Sequence, residues 1–195
     1  MTPLLRYQWQ RLLRYKPITR GLVAYTVISY VLVAGLMILA EKVENPSFSV
    51  QTMFFGADNL LSTLSWLLHY LNIIPAVLII GLIRSDDQWR MVRQQVLNGF
   101  RRYEICLGYG YLILFLSLFG IILLSLLAVK FNPTGSFFGA DHSETISILL
   151  KFGLHCLVIY SFSFFIGFLI QHTSLAILTL FMWYLILEPL LGLML

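Results

Sequence analysis

The sequence predicts an all-α integral membrane protein, a polytopic bundle of five to six transmembrane helices preceded by an amphipathic helix at the membrane interface. Three observations predict it. Charged residues make up 11% of the 195-residue chain and hydrophobic residues 59%, whereas soluble domains carry roughly 25% charged residues. Five apolar runs each reach about 20 residues, the length a helix needs to cross a bilayer. None of these runs alternates with period two, so their backbone groups are satisfied within helices rather than in a barrel. A mean hydropathy of +0.85 agrees. This composition excludes a disordered chain, a nucleic-acid module and an ordinary soluble enzyme.

The first 20 residues read as a cytoplasmic helix lying on the membrane. Thr2 is a capping residue and Pro3 suits a first turn. Leu5, Trp9, Leu12 and Leu13 share one side, opposite Tyr7, Gln10, Arg11 and Arg14, a basic amphipathic pattern suited to lipid headgroups. The alternative is a plain basic tail that only sets topology. Pro17 and Gly21 mark the bend into a transmembrane domain that spans residues 21–195. Its spans are expected at residues 21–40, 60–83, 105–129, 146–170 and 174–195.

Charge orients these spans. Of 13 Lys and Arg residues, Arg6, Arg11, Arg14, Lys16 and Arg20 precede the first span, and Arg84, Arg90, Arg93, Arg101 and Arg102 lie between the second and third. The segments after spans one and three hold one lysine each, Lys42 and Lys130, and Lys151 lies near the expected outer end of span four, able to snorkel. The positive-inside rule puts the N-terminus and the 84–104 segment in the cytoplasm. The first apolar run is too long for a cleavable signal core. Proline blocks both glycosylation triplets, Asn45-Pro46-Ser47 and Asn132-Pro133-Thr134. These features fit a bacterial cytoplasmic (inner) membrane. Cys106 and Cys156, each inside an apolar run, read as small buried hydrophobes rather than a disulfide pair.

The 84–104 segment is the most informative. It leaves span two through Asp86 and Asp87, continues through Arg90, Arg93 and Gln94, pauses at Asn98-Gly99, and enters span three through Arg101, Arg102 and Glu104. Asp86 or Asp87 is placed to cap a short helix and Gly99 to end it. Such a helix, held between two spans, is a handle by which a soluble partner moves both; the alternative is a loop made basic by topology alone.

Within the spans, Glu188, His69 and His155 are functional suspects because polar groups are costly in lipid. For Glu188, with Pro189 behind it, pinning the last helix to a neighbour and contacting a substrate are both open. His69 lies beside Tyr70 and Asn72 and ahead of Pro75, and His155 follows Lys151 by one turn. Ligation of a metal or haem by these histidines is set against core histidines satisfied by neighbouring helices, and their spacing fits no compact metal motif. Phe162, Phe164, Phe165 and Phe168 are explained by lipid contact and helix packing. No catalytic residue set and no metal box stands out.

The residues from Asp86 to Leu107 resemble the cytoplasmic segment of small permease subunits of ABC-2 type transporters. Those permeases often show an acidic end to span two, an Arg-Gln pair, an aliphatic pair, a glycine, Ser-Arg, and an acidic start to span three. Here the order reads Asp86 or Asp87, Arg93-Gln94, Val96-Leu97, Gly99, Arg101-Arg102 and Glu104. The polar turn Gln171-His172-Thr173-Ser174 and the late Glu188-Pro189 are also similar. Arg101 replaces the family's serine, and Tyr109 lies about where a lysine is often found. The family has six spans, against five apolar runs here.

The resemblance implies that two permease subunits pair, as homodimer or heterodimer, each resting on a cytoplasmic ATP-binding cassette subunit. Asp86, Asp87, Arg90, Arg93, Gln94 and Arg102 would form the coupling contacts. The chain contains no Gly-rich phosphate-binding loop ending in Gly-Lys-Ser/Thr. ATP and Mg are therefore expected on the partner, and no cofactor or enzyme activity in this chain. The partners are that ATP-binding subunit, the second permease and membrane lipids, with no nucleic acid. A non-transporting assembly or sensor subunit using the same basic face is the alternative.

Overall fold

The structure, a computed structural model, describes residues 16–42, 60–88, 94, 96, 97, 99, 101–131 and 142–187. These are almost wholly helical, with no strand among the described residues. In chain order the helices are α1 (Lys16–Lys42), α2 (Leu60–Leu71), α3 (Ile73–Gln88), α4 (Arg102–Phe131), α5 (His142–Leu169) and α6 (Thr173–Met182), the last running into a π-helical turn, Trp183–Leu187. Of the expected N-terminal helix only residues 16–20 are described, and they belong to α1, which continues through Pro17 and Gly21 without the interruption expected at residue 21; Arg90, Arg93 and Glu188 lie outside the described residues.

Four stretches are long and apolar enough to cross a membrane: Lys16–Leu39, Leu60–Asp86, Tyr103–Phe131 and Ser143–Leu169. They match the first four expected spans. The described part of the fifth, Thr173–Ile186, is a shorter apolar helix. The outward faces are consistent with a lipid surrounding. On α4, Leu107, Tyr111, Leu114, Leu118, Ile122, Leu126 and Val129 are exposed at steps of three and four, a stripe down one side of the helix. On α5, Ile146, Leu150, Leu154, Val158, Phe165 and Phe168 form another. A soluble helix would point its polar side outward; these point large aliphatic and aromatic groups outward, as a membrane-embedded helix does. Hydroxyl groups are handled accordingly. Ser29 donates to Tyr25 O at 2.7 Å, Ser163 to Ile159 O at 2.8 Å and Thr179 to Leu175 O at 2.8 Å, so each is satisfied by its own helix.

The second span differs from the single helix expected over 60–83. It breaks at Asn72 and then continues to Gln88. Pro75 is the cause: it has no N–H for the carbonyl of Leu71, and its ring collides with that carbonyl in a straight helix. Asn72 closes the end of α2, its N–H reaching Leu68 O at 3.0 Å and His69 O at 3.2 Å. The continuation to Gln88 also corrects the expected cap. Asp86 and Asp87 lie in the last turn of α3 rather than starting a separate helix.

The chain divides into two compact units. One gathers the described parts of Met1–Leu22, Ile73–Leu116 and Leu157–Leu195, and the other those of Val23–Asn72 and Ser117–Cys156. In the first unit α3 packs on α6. There Gly167 lets α5 approach α3 closely: a Cβ at this position would stand 3.4 Å from Ile80 Cα and 3.0 Å from Ile83 Cδ1. Small residues permit such approaches where van der Waals packing, rather than water exclusion, holds helices together. Phe162 meets Trp183 with ring centroids 4.6 Å apart, and Phe164 meets Tyr109 at 5.3 Å, so the inward aromatics of α5 are packing residues. At Gln171 and His172 the chain bends tightly before α6 begins, as the polar turn anticipated.

Candidate functional site

Two polar clusters stand out, one in each unit. In the second unit the break in the second span places Asn72 in the interior, 0% exposed. Tyr25 of α1 donates its hydroxyl to Asn72 Oδ1 at 2.9 Å, and Asn72 Nδ2 donates to Cys156 Sγ of α5 at 3.2 Å. One amide thus ties three stretches of chain together, using both ends of its side chain. One turn before Asn72, His69 stacks on His155, with ring centroids 3.9 Å apart and planes 27° from parallel. Tyr70 and Trp66 continue this aromatic group. The two histidines that sequence left as separate suspects therefore form a pair. Imidazole lone pairs lie in the ring plane, so two stacked rings do not converge on one ion. Among the described residues no group of three or more His, Cys, Asp or Glu is arranged to hold a metal.

In the first unit, the last turns of α3 are anchored from two sides. Arg84 is only 7% exposed. Its Nε donates to Gly167 O at 3.1 Å, and its Nη2 donates to the same oxygen. Gly167 lies in the final turn of α5, where carbonyls lack intrahelical partners and the helix end attracts positive charge. Arg84, expected as a cytoplasmic topology charge, is an internal clamp between α3 and α5. Asp86 is 4% exposed and accepts a 2.6 Å hydrogen bond from the Tyr109 hydroxyl of α4, a length typical of a hydroxyl donating to a carboxylate. Asp86 was expected among the residues facing a partner; this arrangement turns it inward onto Tyr109.

The segment that follows is held at its far end as well. Gly99 has a φ of +88° and its N–H reaches Val96 O at 3.1 Å, closing the short helical stretch as expected of a glycine in left-handed conformation. Arg101 then opens α4. Its carbonyl accepts from Glu104 N at 3.0 Å and Ile105 N at 3.3 Å, and Glu104 returns a carboxylate oxygen to Arg101 N at 2.8 Å. This is the acidic half of a capping box, which gives the acidic start of span three a local role. Between these anchored ends Gln94 is exposed, Val96 is exposed and Leu97 is 82% exposed. Asp87 and Arg102 are helical, and Arg90 and Arg93 lie outside the described residues.

Cysteine burial divides the pair treated alike in sequence: Cys156 is buried and hydrogen-bonded to Asn72, while Cys106 is exposed on α4 rather than buried as expected, and neither is in a disulfide. Sequence reasoning missed Tyr25, Arg84 and Tyr109 as cluster members. For Arg84 and Tyr109 no local signal existed; for Asn72 the signal was an amide three residues ahead of a proline inside an apolar run. Comparison of the chain with protein-family models, curated proteins and solved structures finds no match.

Proposed function

We propose that this chain is the transmembrane permease subunit of an ATP-driven exporter of the ABC-2 type, moved by a separate ATP-binding cassette subunit. The observation that carries the reading is the build of the segment between α3 and α4. Both of its ends are tied to the helices, by Arg84 on Gly167, Asp86 on Tyr109 and Glu104 on Arg101, while Gln94, Val96 and Leu97 between them are exposed. A force applied at Gln94, Val96 and Leu97 is, on this reading, passed to α3 and α4. On this reading the N-terminus and the segment are cytoplasmic, in a bacterial inner membrane. Asp87, Arg90, Arg93, Gln94 and Arg102 meet the ATP-binding subunit, which holds ATP and Mg. Asp86 transmits from inside. The break at Asn72 gives the second span a point at which α3 tilts when its end is pulled, and a second permease subunit completes the path.

The test is reconstitution of the chain with its co-purifying ATP-binding subunit. Replacing residues 89–98 by a glycine-serine linker of equal length is expected to abolish transport and stimulated ATP hydrolysis while the spans remain folded. Arg93→Ala together with Gln94→Ala is expected to weaken co-purification. Unchanged ATP hydrolysis and transport with the linker would sink the reading.

A further inference from the structure

Helices α2 and α5 each carry a polar edge through an otherwise apolar run. On α2 it is Ser62, Ser65 and His69; on α5 it is Glu144, Ser147, Lys151 and His155. Steps of three and four residues keep each set on one side of its helix. None of these residues is buried: Ser62, Glu144 and Lys151 are exposed, and the others are half-buried. The buried faces lie elsewhere, at Leu60, Leu64 and Leu68 on α2 and at Thr145, Phe152 and Cys156 on α5. The two edges meet within the second unit, where His69 and His155 stack with ring centroids 3.9 Å apart.

The stacked pair is deep. Helix α5 has 28 residues, about 42 Å at 1.5 Å per residue, and His155 is at its midpoint, well inside a hydrocarbon core of about 30 Å. Glu144 is in the first turn of the same helix. A polar group therefore recurs at each turn of α5 from its membrane-surface end to the middle of the bilayer. Such an edge is costly against lipid tails. Lys151 escapes that cost by snorkelling, but the imidazoles, short side chains at mid-depth, have no such exit. The continuity of the edge selects water as its occupant. A second protein chain needs polar groups only where its own partners fall, whereas a file of water needs them along its whole length. We propose that the joined edges of α2 and α5 form a hydrated furrow, open to the membrane face at which both helices begin and ending at the His69–His155 pair. An imidazole pair inside the membrane is thereby in contact with bulk solvent. The furrow is independent of the transport reading, because it uses neither the 84–104 segment nor any partner subunit.

Cysteine accessibility in the full chain, with Cys106 and Cys156 replaced by serine, tests this. Ser65→Cys, Ser147→Cys and Lys151→Cys place thiols along the furrow. Ile122→Cys and Leu126→Cys, at exposed positions on the apolar stripe of α4, are lipid-facing controls. A membrane-impermeant methanethiosulfonate is applied in turn to each face of sealed vesicles. It is expected to modify the furrow positions at least about tenfold faster than the controls, because the reactive thiolate forms only where water reaches. Reaction is expected from one face alone. Monodisperse elution and full labelling after denaturation establish that each variant is folded and carries its thiol. Rates at Ser65→Cys and Ser147→Cys no faster than at the controls, from either face, would overturn the furrow. Reaction only from the face assigned to the cytoplasm would support the furrow and reverse the proposed topology, so the two readings fail separately.

Discussion

Asn72 shows how one side chain answers for its own placement in a membrane. Its amide accepts from Tyr25 and donates to Cys156, so the polar group that lipid would penalise is spent on joining helices. Interhelical hydrogen bonds in membranes average about 0.6 kcal/mol and reach about 1.7. Asn72→Ala removes two and leaves the buried Tyr25 hydroxyl short of its acceptor, and an overall loss of about 1–2 kcal/mol is expected. A lowered thermal midpoint in detergent would register it, while Cys156→Ser, which keeps an acceptor, should stay near wild type. Tyr109 serves Asp86 in the same manner. Tyr109→Phe should destabilise more than Tyr109→Lys, because lysine restores a donor to the carboxylate; comparison of their midpoints decides it. Sequence showed each of these residues as a polar interruption in an apolar run, and nothing local identified its partner.

At the scale of elements, two residues shape the second span and its neighbour. Pro75 breaks the span at Asn72, and Gly167 allows α5 to lie against α3. Gly167→Ala puts a methyl group at contact distance from Ile80 and near the movable end of Ile83, a change the packing accommodates with small shifts. Gly167→Leu fills the approach itself and also displaces the carbonyl that Arg84 holds. A loss of about 1–3 kcal/mol is expected from overpacking alone, read as early unfolding or aggregation on size-exclusion chromatography after mild heating, with Gly167→Ala close to wild type. The break at Pro75 was open to sequence reasoning, since a proline inside a helical run ends or kinks it. The role of Gly167 was not, because a glycine in an apolar helix reads the same whether it faces lipid or a neighbour.

For the whole molecule, the distribution of arginine and lysine sets an orientation that the helices alone leave open. Under the proposed topology residue 94 faces the cytoplasm. With Cys106 and Cys156 replaced by serine, Gln94→Cys should react with a membrane-impermeant maleimide in inside-out vesicles and resist it in intact cells. Labelling in intact cells would invert the topology and remove the segment from any cytoplasmic ATP-binding partner. The four long apolar spans do not depend on that outcome.

Membrane residence, helical class and span positions follow from the sequence by itself, because each is a sum over neighbours in the chain: about 20 apolar residues in a row satisfy lipid wherever the rest of the protein goes. Which polar residues meet was decided only by tertiary structure. Tyr25 and Asn72 are 47 residues apart, Arg84 and Gly167 83, and Asn72 and Cys156 84. In a membrane the apolar faces give little preference for one helix pairing over another, since lipid tails are as apolar as leucine. The few buried donors and acceptors, and the glycine that lets backbones close in, therefore select the arrangement, and those selections exist only once the helices are side by side.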